Sequence, residues 1–556
     1  MNAGHPSPAS PYPSRLSELF DLQKKTPNQP YSILHRLNLA RAYKNLGYPD
    51  LAASDAYKAL LLVDEVAEGA EFHEEALEAA LNDLNIDSES SKAKGNHEEK
   101  AINIAQTDQL MSAYDILIPC LIDCGCLRSA FSYNMRALKA FPNTITFPAY
   151  QTTLIERLQQ YFEAKGENFN DADIQKYPDK GRVRRELYPW NDYEPDRFAA
   201  EVLQFLNDEL DQIAPKLEVK VAELPLLSES STPNAGTKYV KQLGVFAKVD
   251  IPPGEEILKE KSLLTAVSRL HDSYCDACSV PLSNQQDAEA EILSCEECNE
   301  VFFCSQECHD LAQDTYHPSL CGVDIDRKVS ASEAADSLHT LLVIRAIALA
   351  ETQDVHPLEL KEVRYIWGDY HGRNLEQAWQ PDVDAFGSLP RTLPFSFEAN
   401  VLRPLHILEK MDVNIFEQSH RYDTWVFNTL YAKLRGTASA RQGLDGRPEI
   451  GAVHPMWCLT NHSCDPNVSW EWCGSMRFWT RTHPIEWKGR DASKSPGLKK
   501  GEEVFSHYCD VRLPVKERRE WAVGALGGLC MCERCVWEAS TEEKKEKDKH
   551  KFANAQ

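Results

Sequence analysis

The sequence has no run of about 18 consecutive apolar residues, the length that a helix needs to cross a bilayer. Its first residues, MNAGHPSPASPYPS, have neither the basic start nor the apolar stretch of a secretory signal peptide. It also has no Gly-rich loop ending in Lys-Ser or Lys-Thr that could cradle a nucleotide phosphate. The lack of an apolar run and of a signal peptide predicts a soluble protein without a membrane partner, placed in the cytoplasm and/or the nucleus.

Basic residues are also scarce relative to acidic ones. Lys and Arg together number 60 against 85 Asp and Glu, which gives a net charge of -25. A protein that binds nucleic acid needs a basic surface to displace counterions from phosphates, so direct nucleic-acid binding is not expected. The acidity favours the approach of basic substrates such as Lys-rich protein segments, although a need for solubility explains it equally well.

The front of the chain repeats a helical pattern. Small and apolar residues recur 78 positions apart, and small residues at such places let antiparallel helices approach closely. The first set is Leu39, Tyr43, Gly47, Ala52, Ala59 and Leu60, and the second is Leu117, Leu121, Gly125, Ala130, Ala137 and Leu138. We expect the glycine to end the first helix of each set. The stretch RLNLARAYKNLGYPDLAASDAYKAL resembles a tetratricopeptide repeat, and an ordinary pair of helical hairpins is the alternative.

Cysteines cluster in the middle of the chain. Without a secretory signal, paired cysteines indicate metal ligands rather than disulfides. Eight potential ligands lie in four pairs spaced by two or three residues: Cys275, Cys278, Cys295, Cys298, Cys304, Cys308, His317 and Cys321. Since zinc takes four tetrahedral thiolate or imidazole ligands, this segment predicts two zinc ions.

A second cluster lies near the end of the chain, at Cys530, Cys532 and Cys535. Three thiolates do not complete a tetrahedron, so a fourth ligand must come from elsewhere. Cys464, within the sequence NHSCDPN, is the best candidate.

Four motifs in a fixed order resemble the SET-domain methyltransferases. They are LGVFAKVDIPPGEEI (243–257), NHSCDPN (461–467), GEEVFSHYCD (501–510) and CMCERC (530–535). The zinc segment between the first two resembles the MYND module, an insertion typical of SET and MYND domain-containing proteins. The helical repeats in front resemble a fungal-like variant of that family.

The resemblance implies how the zinc ligands pair. One ion would take Cys275, Cys278, Cys304 and Cys308, and the other Cys295, Cys298, His317 and Cys321. With Cys464 and the three late cysteines, the total is three zinc ions. The module would either capture Pro-rich peptides or serve as a structural clip.

The resemblance also implies a cofactor, S-adenosylmethionine, and a substrate, a lysine of another protein. Tyr508 would be catalytic and line the channel for the lysine amine. The residues expected to contact the cofactor are Leu243, Gly244, Asn428, Asn461 and His462.

The predicted fold class is multidomain α+β: all-α repeats, then a β-rich SET domain with an inserted zinc module and a post-SET zinc loop. The predicted N-terminus at 1–30 is disordered, helical repeats follow at 31–215 with a flexible insertion near 82–100, and a linker covers 216–237. The predicted SET domain covers 238–525 and is interrupted by the MYND module at 275–321 and by a helical insert at 322–425. A post-SET zinc loop at 526–537 and a charged tail at 538–556 complete the predicted order.

Three positions depart from the family pattern. Gln242 replaces the first glycine of a Gly-x-Gly motif, His507 precedes the catalytic tyrosine, and Gly528 lies where a bulky aromatic residue is common. Because none of them removes Tyr508, Asn461 or His462, the leading hypothesis is a protein-lysine methyltransferase. The alternative is an inert scaffold that binds protein partners through its helical repeats and its zinc module.

Overall fold

The structure is a computed structural model. It describes residues 12–84, 91–225, 239–268, 273–282, 292–325, 333–367, 391–443, 445–491, 493–526 and 528–542. The predictions for residues 1–11, for the insertion at 85–90, for the linker at 226–237 and for the tail from 543 lie outside these residues.

Helices and strands are both abundant. In chain order the helices are α1 (Tyr12–Lys25), α2 (Ile33–Asn45), α3 (Pro49–Glu68), α4 (His73–Asp83), α5 (Ser91–Ile104), α6 (Leu110–Cys124), α7 (Leu127–Ala140), α8 (Thr146–Ala164), α9 (Ala200–Ile213), α10 (Gln306–Thr315), α11 (His317–Leu320), α12 (Ala334–Thr352), α13 (Lys361–Arg364), α14 (Arg403–Lys410), α15 (Thr424–Thr437) and α16 (Val515–Leu526). Residues 533–542 are helical as well. The strands are β1 (Gly181–Arg184), β2 (Leu217–Pro225), β3 (Tyr239–Ala247), β4 (Glu256–Glu260), β5 (Thr265–Val267), β6 (Leu293–Ser294), β7 (Phe302–Phe303), β8 (Arg391–Phe395), β9 (Ser439–Gln442), β10 (Pro448–Ala452), β11 (Asn461–His462), β12 (Val468–Trp472), β13 (Met476–Thr480) and β14 (Phe505–Ser506).

The chain forms two compact units. The first contains Met1–Trp190 and Trp379–Thr429, and the second contains Asn191–Ala378 and Leu430–Gln556. This mixture of helix and strand confirms the predicted α+β class at a coarse level, while the SET fold stays a prediction. Among the described helices, none is long and apolar enough to span a bilayer.

The first unit is mainly helical. Its helices α2 and α3 contact each other, α3 contacts α6, and α6 contacts α7. Gly47, after α2, and Gly125, after α6, both have positive φ values, 74° and 79°. This left-handed conformation is typical of the glycine that ends a helix, so both glycines end their helices as predicted.

Two predicted boundaries of the first unit are wrong. Residues 12–25 form α1 instead of a disordered N-terminus, because Leu19 is completely buried and the helix packs on α2. Residues 91–104 form α5 where the flexible insertion was expected. The helical repeats also end earlier than predicted, since α9 belongs to the second unit.

Three further boundaries change in the second half of the chain. Residues 217–225, predicted as a linker, form β2, which pairs along its whole length with β3. The predicted helical insert at 322–425 is divided between the two units, and its strand β8 pairs with β1 in the first. The zinc loop and the charged tail are partly helical, at 533–542.

The second unit contains several small sheets, three of which contribute residues to the same apolar core. Strands β2 and β3 pair antiparallel, β12, β13 and β4 form a second sheet, and β5, β10 and β9 form a third. Leu206 and Leu210 of α9 join Val219 and Val245 in the core. The short strands β11 and β14 pair in parallel and carry the NHSC and SHY sequences side by side.

The carboxylate of Glu260, at the end of β4, is buried and holds the segment that leads into β11. Its two oxygens accept hydrogen bonds from the backbone N–H groups of Met456 and Trp457, both at 2.9 Å. Burial raises the pKa of Glu260 from 4.5 to about 7. The turn at Trp457–Leu459, just before Asn461, is therefore tied to the sheet by a carboxyl group that titrates near neutral pH.

The stability of the second unit should therefore depend on the protonation of Glu260. The folded state binds the proton more tightly than the unfolded chain, so the free energy of unfolding should fall as the pH rises from 4.5 to about 7. Glu260→Gln cannot titrate at this position. Over this pH range we therefore expect its free energy of unfolding to fall by about 3 kcal/mol less than that of wild type. Denaturant titrations of the zinc-loaded protein at several pH values measure the difference. Glu471→Gln, exposed on β12 of the same sheet, is the control. Parallel profiles for wild type and Glu260→Gln would contradict the assignment.

Candidate active site and metal centres

Two quartets of metal-ligand residues lie in the zinc module (residues 275–321). The structure groups Cys275, Cys278, Cys304 and Cys308 in one quartet, and Cys295, Cys298, His317 and Cys321 in the other. Within each quartet the ligand atoms lie within 4.8 Å of one another. This is the interleaved pairing that the family resemblance implies.

The distances within these quartets suit zinc. The Sγ atoms of Cys278 and Cys304 are 3.6 Å apart, and those of Cys295 and Cys321 are 3.9 Å apart. Tetrahedral ligands at about 2.3 Å from an ion lie about 3.8 Å from each other. Several Cys and His clusters of this protein could therefore bind zinc, in keeping with a MYND-type module.

Tight turns place the first two pairs of ligands. Ser279 and Asn299, each directly after the second cysteine of a pair, have positive φ values of 62° and 53°. Their N–H groups donate to the carbonyl oxygens of Cys275 and Cys295, at 2.8 and 2.9 Å. Each turn directs two thiols to the same point.

A third quartet joins distant parts of the chain: Cys464, Cys530, Cys532 and Cys535. The Sγ atom of Cys464 lies 3.4 Å from that of Cys535 and 4.0 Å from that of Cys530. The guanidinium of Arg534 donates to the carbonyl oxygen of Cys464 at 2.9 Å. The structure thus brings Cys464 to the three late cysteines, and the four thiols suit a third zinc ion.

A fifth cysteine lies beside this quartet. The thiol of Cys509 is grouped with Cys464 and His462 and is buried. The sequence prediction of metal ligands does not include Cys509. Its position directly after Tyr508 is the signal that could have placed it near Cys464.

His462 connects the third quartet to Tyr508. Its Nδ1 atom accepts a hydrogen bond from the backbone N–H of Tyr508 at 3.0 Å, and its Nε2 atom lies 3.3 Å from the Sγ atom of Cys464. Burial lowers the pKa of His462 to about 4, so the ring is neutral at pH 7. Because Nδ1 accepts, the single ring proton lies on Nε2 and can be donated to the sulfur. The ring of His462 therefore links the backbone of Tyr508 to the thiols of the third quartet.

The side chain of Tyr508 lies among aromatic rings. Its hydroxyl donates to the carbonyl oxygen of Thr460 at 2.6 Å. Its ring centroid is 5.1 Å from that of His462 and 6.2 Å from that of Trp457. Burial raises the pKa of Tyr508 well above its ordinary value, so the hydroxyl remains protonated and acts as a donor. Thr460 was not predicted from the sequence, although it directly precedes the NHSC motif.

Asn461 and the opening strand β3 meet at a crowded point. The Nδ2 atom of Asn461 donates to the carbonyl oxygen of Leu243 at 3.0 Å and to Oε1 of Glu503 at 2.6 Å. A Cβ atom at Gly244 would lie 2.6 Å from that carboxylate oxygen and 3.2 Å from Nδ2 of Asn461. A side chain at 244 would therefore force the carboxylate of Glu503 to shift. Burial raises the pKa of Glu503. Sequence reasoning did not single out this residue, which lies in the GEEVF segment.

One cavity is lined by four of the six residues predicted to bind the cofactor or to act in catalysis. Its volume is about 1480 Å³, and its lining includes Leu243, Asn461, His462 and Tyr508. Gly244 adjoins it through its contacts with Asn461 and Glu503. Arg197 and Trp367 also line it, although no motif in the sequence singled them out.

Asn428 is not among the residues that line this cavity, so the structure does not bring it together with the other predicted cofactor contacts. It lies in the first unit, with only 1% of its surface exposed, and its Nδ2 atom donates to Oδ2 of Asp50 at 2.8 Å. Desolvation by burial raises the pKa of Asp50 to about 6. The amide of Asn428 thus serves the packing of the first unit.

Two of the residues that depart from the family pattern make defined contacts in the structure. The amide oxygen of Gln242 accepts a hydrogen bond from Arg197 at 2.9 Å. The ring of His507 stacks on Trp470, with centroids 5.3 Å apart, and burial lowers the pKa of His507. Neither side chain displaces Tyr508, Asn461 or His462 from the cavity wall.

Comparison with known proteins identifies a partial relative. No family model matches the chain. A SET and MYND domain-containing protein of Dictyostelium discoideum is 28% identical over 122 residues, which cover 20% of this chain and 21% of that protein. The chain thus matches only about a fifth of the length of this curated relative. The match supports similarity to the SET and MYND proteins.

The zinc assignment predicts a metal content that mutation should change in a defined way. The full chain, purified without chelators, should contain three zinc ions, one for each quartet. Cys464→Ser should reduce this to two, since it removes a ligand of the third quartet. Elemental analysis against protein concentration gives the count. Cys473→Ser is the matched control, because Cys473 is exposed and belongs to none of the quartets. An unchanged zinc content in Cys464→Ser would be inconsistent with the third site.

Proposed function

We propose that this protein is a protein-lysine N-methyltransferase of the SET and MYND type that uses S-adenosylmethionine. The observation that carries the proposal is the meeting of Asn461, His462 and Tyr508 in the wall of one cavity, with His462 joined to a thiol quartet suited to zinc. The partial similarity to a SET and MYND domain-containing protein supports the same assignment.

The cavity suits a cofactor of this kind. Small-molecule pockets commonly enclose about 300–1,000 Å³, so a cavity of about 1480 Å³ has room for the cofactor and a lysine side chain. The backbone of Leu243 and Gly244, the side chain of Asn461 and the backbone of His462 would bind it. The bare backbone at Gly244 permits close approach next to Asn461. When bound, the cofactor supplies an electrophilic methyl group on a sulfonium.

The residues around Tyr508 can prepare the lysine nucleophile. Only a neutral amine attacks a methyl group, whereas a free lysine has a pKa of about 10.4, so deprotonation at pH 7 costs about 4.6 kcal/mol. The aromatic rings of Trp457 and Tyr508 provide an apolar surface that excludes water and disfavours the ammonium form. The carbonyl oxygen of Thr460 and the hydroxyl of Tyr508, already joined by a hydrogen bond, can orient the amine.

The proposed substrate is a protein segment that bears a lysine. The net charge of -25 would favour basic segments. The zinc module would provide a second contact, for a Pro-rich peptide of a partner.

Tyr508→Phe tests the assigned role of the tyrosine. We expect the variant to bind S-adenosylhomocysteine, the product of the cofactor, as wild type does, because the hydroxyl donates to Thr460 and makes no predicted contact with the cofactor. Its rate of methyl transfer to lysine-bearing proteins should fall by about a hundredfold, since a misplaced amine loses its in-line orientation. Calorimetry measures the binding, and labelled cofactor with a lysate protein mixture measures the transfer.

Tyr274→Phe is a matched control, because this tyrosine donates to Glu449 and is not among the residues that line the cavity. Equal transfer rates for wild type and Tyr508→Phe would remove the role of Tyr508. If zinc-loaded wild type had no affinity for S-adenosylhomocysteine, the inert scaffold would be the better description.

A further inference from the structure

One side of helix α16 is exposed to solvent and leads to the wall of the cavity. Glu517, Trp521 and Ala525 follow one another at intervals of four residues, which places them on the same side of the helix, and all three are exposed. We refer to these three residues as the α16 stripe. Ala525 lines the cavity. A molecule that enters the cavity past Ala525 would therefore also meet Trp521.

Trp521 is the most exposed tryptophan in the described part of the chain, with 58% of its surface accessible. Its neighbours Arg518 and Ala522, on another side of α16, are buried and anchor the helix. Tryptophan is enriched where proteins contact one another, because its ring offers a large apolar area at a low cost in conformational entropy. The indole ring is therefore a surface on which another molecule can pack.

The α16 stripe also carries a negative charge. The basic residues of the helix are engaged elsewhere: Lys516 pairs with Glu520, Arg518 pairs with Glu538, and Arg519 donates to the carbonyl oxygen of Cys530. In the described part of the chain, Glu517 forms an ion pair with none of these bases. Its carboxylate lies about one helical turn from Trp521 and can attract an outside cation.

The α16 stripe is too small for a stable contact with a second copy of the chain. An aromatic side chain buries at most about 250 Å², whereas a stable protein interface buries at least about 1,200 Å². The stripe instead suits a single side chain of an incoming segment. A lysine or arginine fits it best, since its aliphatic stem can pack on the indole ring while its charge faces the ring and the carboxylate of Glu517.

The spacing of the stripe sets where such a basic residue would lie. Trp521 and Ala525 are separated by about 6 Å along the helix axis, at 1.5 Å per residue. An extended segment advances about 3.3 Å per residue. A basic residue on Trp521 would therefore be about two residues away from a residue that enters the cavity at Ala525.

We propose that Trp521 and Glu517 bind a basic residue of the substrate protein, about two residues from the lysine that enters the cavity. This inference rests on the proposed function and adds to it a preference for substrates with a second basic residue close to the target lysine. The contact lies outside the cavity and outside the four SET-like motifs, so it can be tested without disturbing the cofactor contacts.

Two labelled peptides isolate the recognition of the cation. The first repeats Ala-Arg four times and the second repeats Ala-Gln four times, both with a fluorescein label, and neither contains a lysine that could be methylated. Fluorescence anisotropy with the zinc-loaded full chain, at a salt concentration of about 0.1 M, measures their affinities. We expect wild type to bind the arginine peptide more tightly than the glutamine peptide, because only arginine offers a charge to Trp521 and Glu517.

Trp521→Ala should weaken the arginine peptide by roughly twofold to fivefold, the value of a cation–π contact at an exposed site. Trp521→Phe should retain part of this affinity, since phenylalanine keeps an aromatic face. Glu517→Gln should also weaken the arginine peptide by roughly twofold to fivefold, as expected for an exposed ion pair. None of these variants should change the affinity for S-adenosylhomocysteine, which calorimetry measures.

Two matched controls should change neither peptide affinity. Ile145→Ala removes an exposed apolar side chain, 89% accessible, from the first unit. Glu471→Gln removes an exposed carboxylate from β12. Neither Ile145 nor Glu471 is among the residues that line the cavity.

The outcomes separate the inference from the function on which it rests. A loss of the arginine peptide alone in Trp521→Ala and Glu517→Gln supports the inference. Unchanged affinity for the arginine peptide in Trp521→Ala would overturn it, as would an equal loss of both peptides, while binding of S-adenosylhomocysteine would leave the proposed function intact. If wild type had no affinity for S-adenosylhomocysteine, the proposed function would fail, and the assignment of the α16 stripe to a substrate with it.

Discussion

The contact on which the geometry of the candidate site depends is the ring of His462, which lies between a thiol of the third quartet and the backbone of Tyr508. One ring nitrogen accepts the N–H of Tyr508 at 3.0 Å, and the other faces the Sγ atom of Cys464 at 3.3 Å. Groups that contact a metal ligand in this way commonly orient it and depend on it. A zinc ion at Cys464 would therefore organise the tyrosine strand as well as the chain terminus.

Buried polar contacts explain why the described segment 391–429 belongs to the first unit. Arg36, 1% exposed, donates to Ser419 at 3.0 Å, and Lys58 pairs with Asp423 at 2.9 Å. Leaving such a charge buried without its partner costs several kcal/mol. These contacts join residues more than 360 positions apart in the chain, so they select one arrangement of the returning segment.

Sequence reasoning succeeded where spacing or stoichiometry constrains the ligands. Pairs separated by two or three residues must serve one ion, and three late thiols need a fourth, which pointed to Cys464. It failed where an interaction joins residues that no spacing connects. Asn428 satisfies the buried Asp50, far away in the chain, and Arg197 reaches Gln242 from a segment without a motif. Strand β2 was taken for a linker because its partner β3 follows only after a polar, turn-rich stretch.

The most direct test of this account is the affinity for S-adenosylhomocysteine after selective loss of the third metal. Cys535→Ser removes a ligand of that quartet and leaves the two quartets of the zinc module intact. If the cluster organises the cavity through His462, the variant should retain two zinc ions and bind S-adenosylhomocysteine roughly tenfold to a hundredfold more weakly than wild type. Unchanged affinity in a protein with two zinc ions would contradict the account.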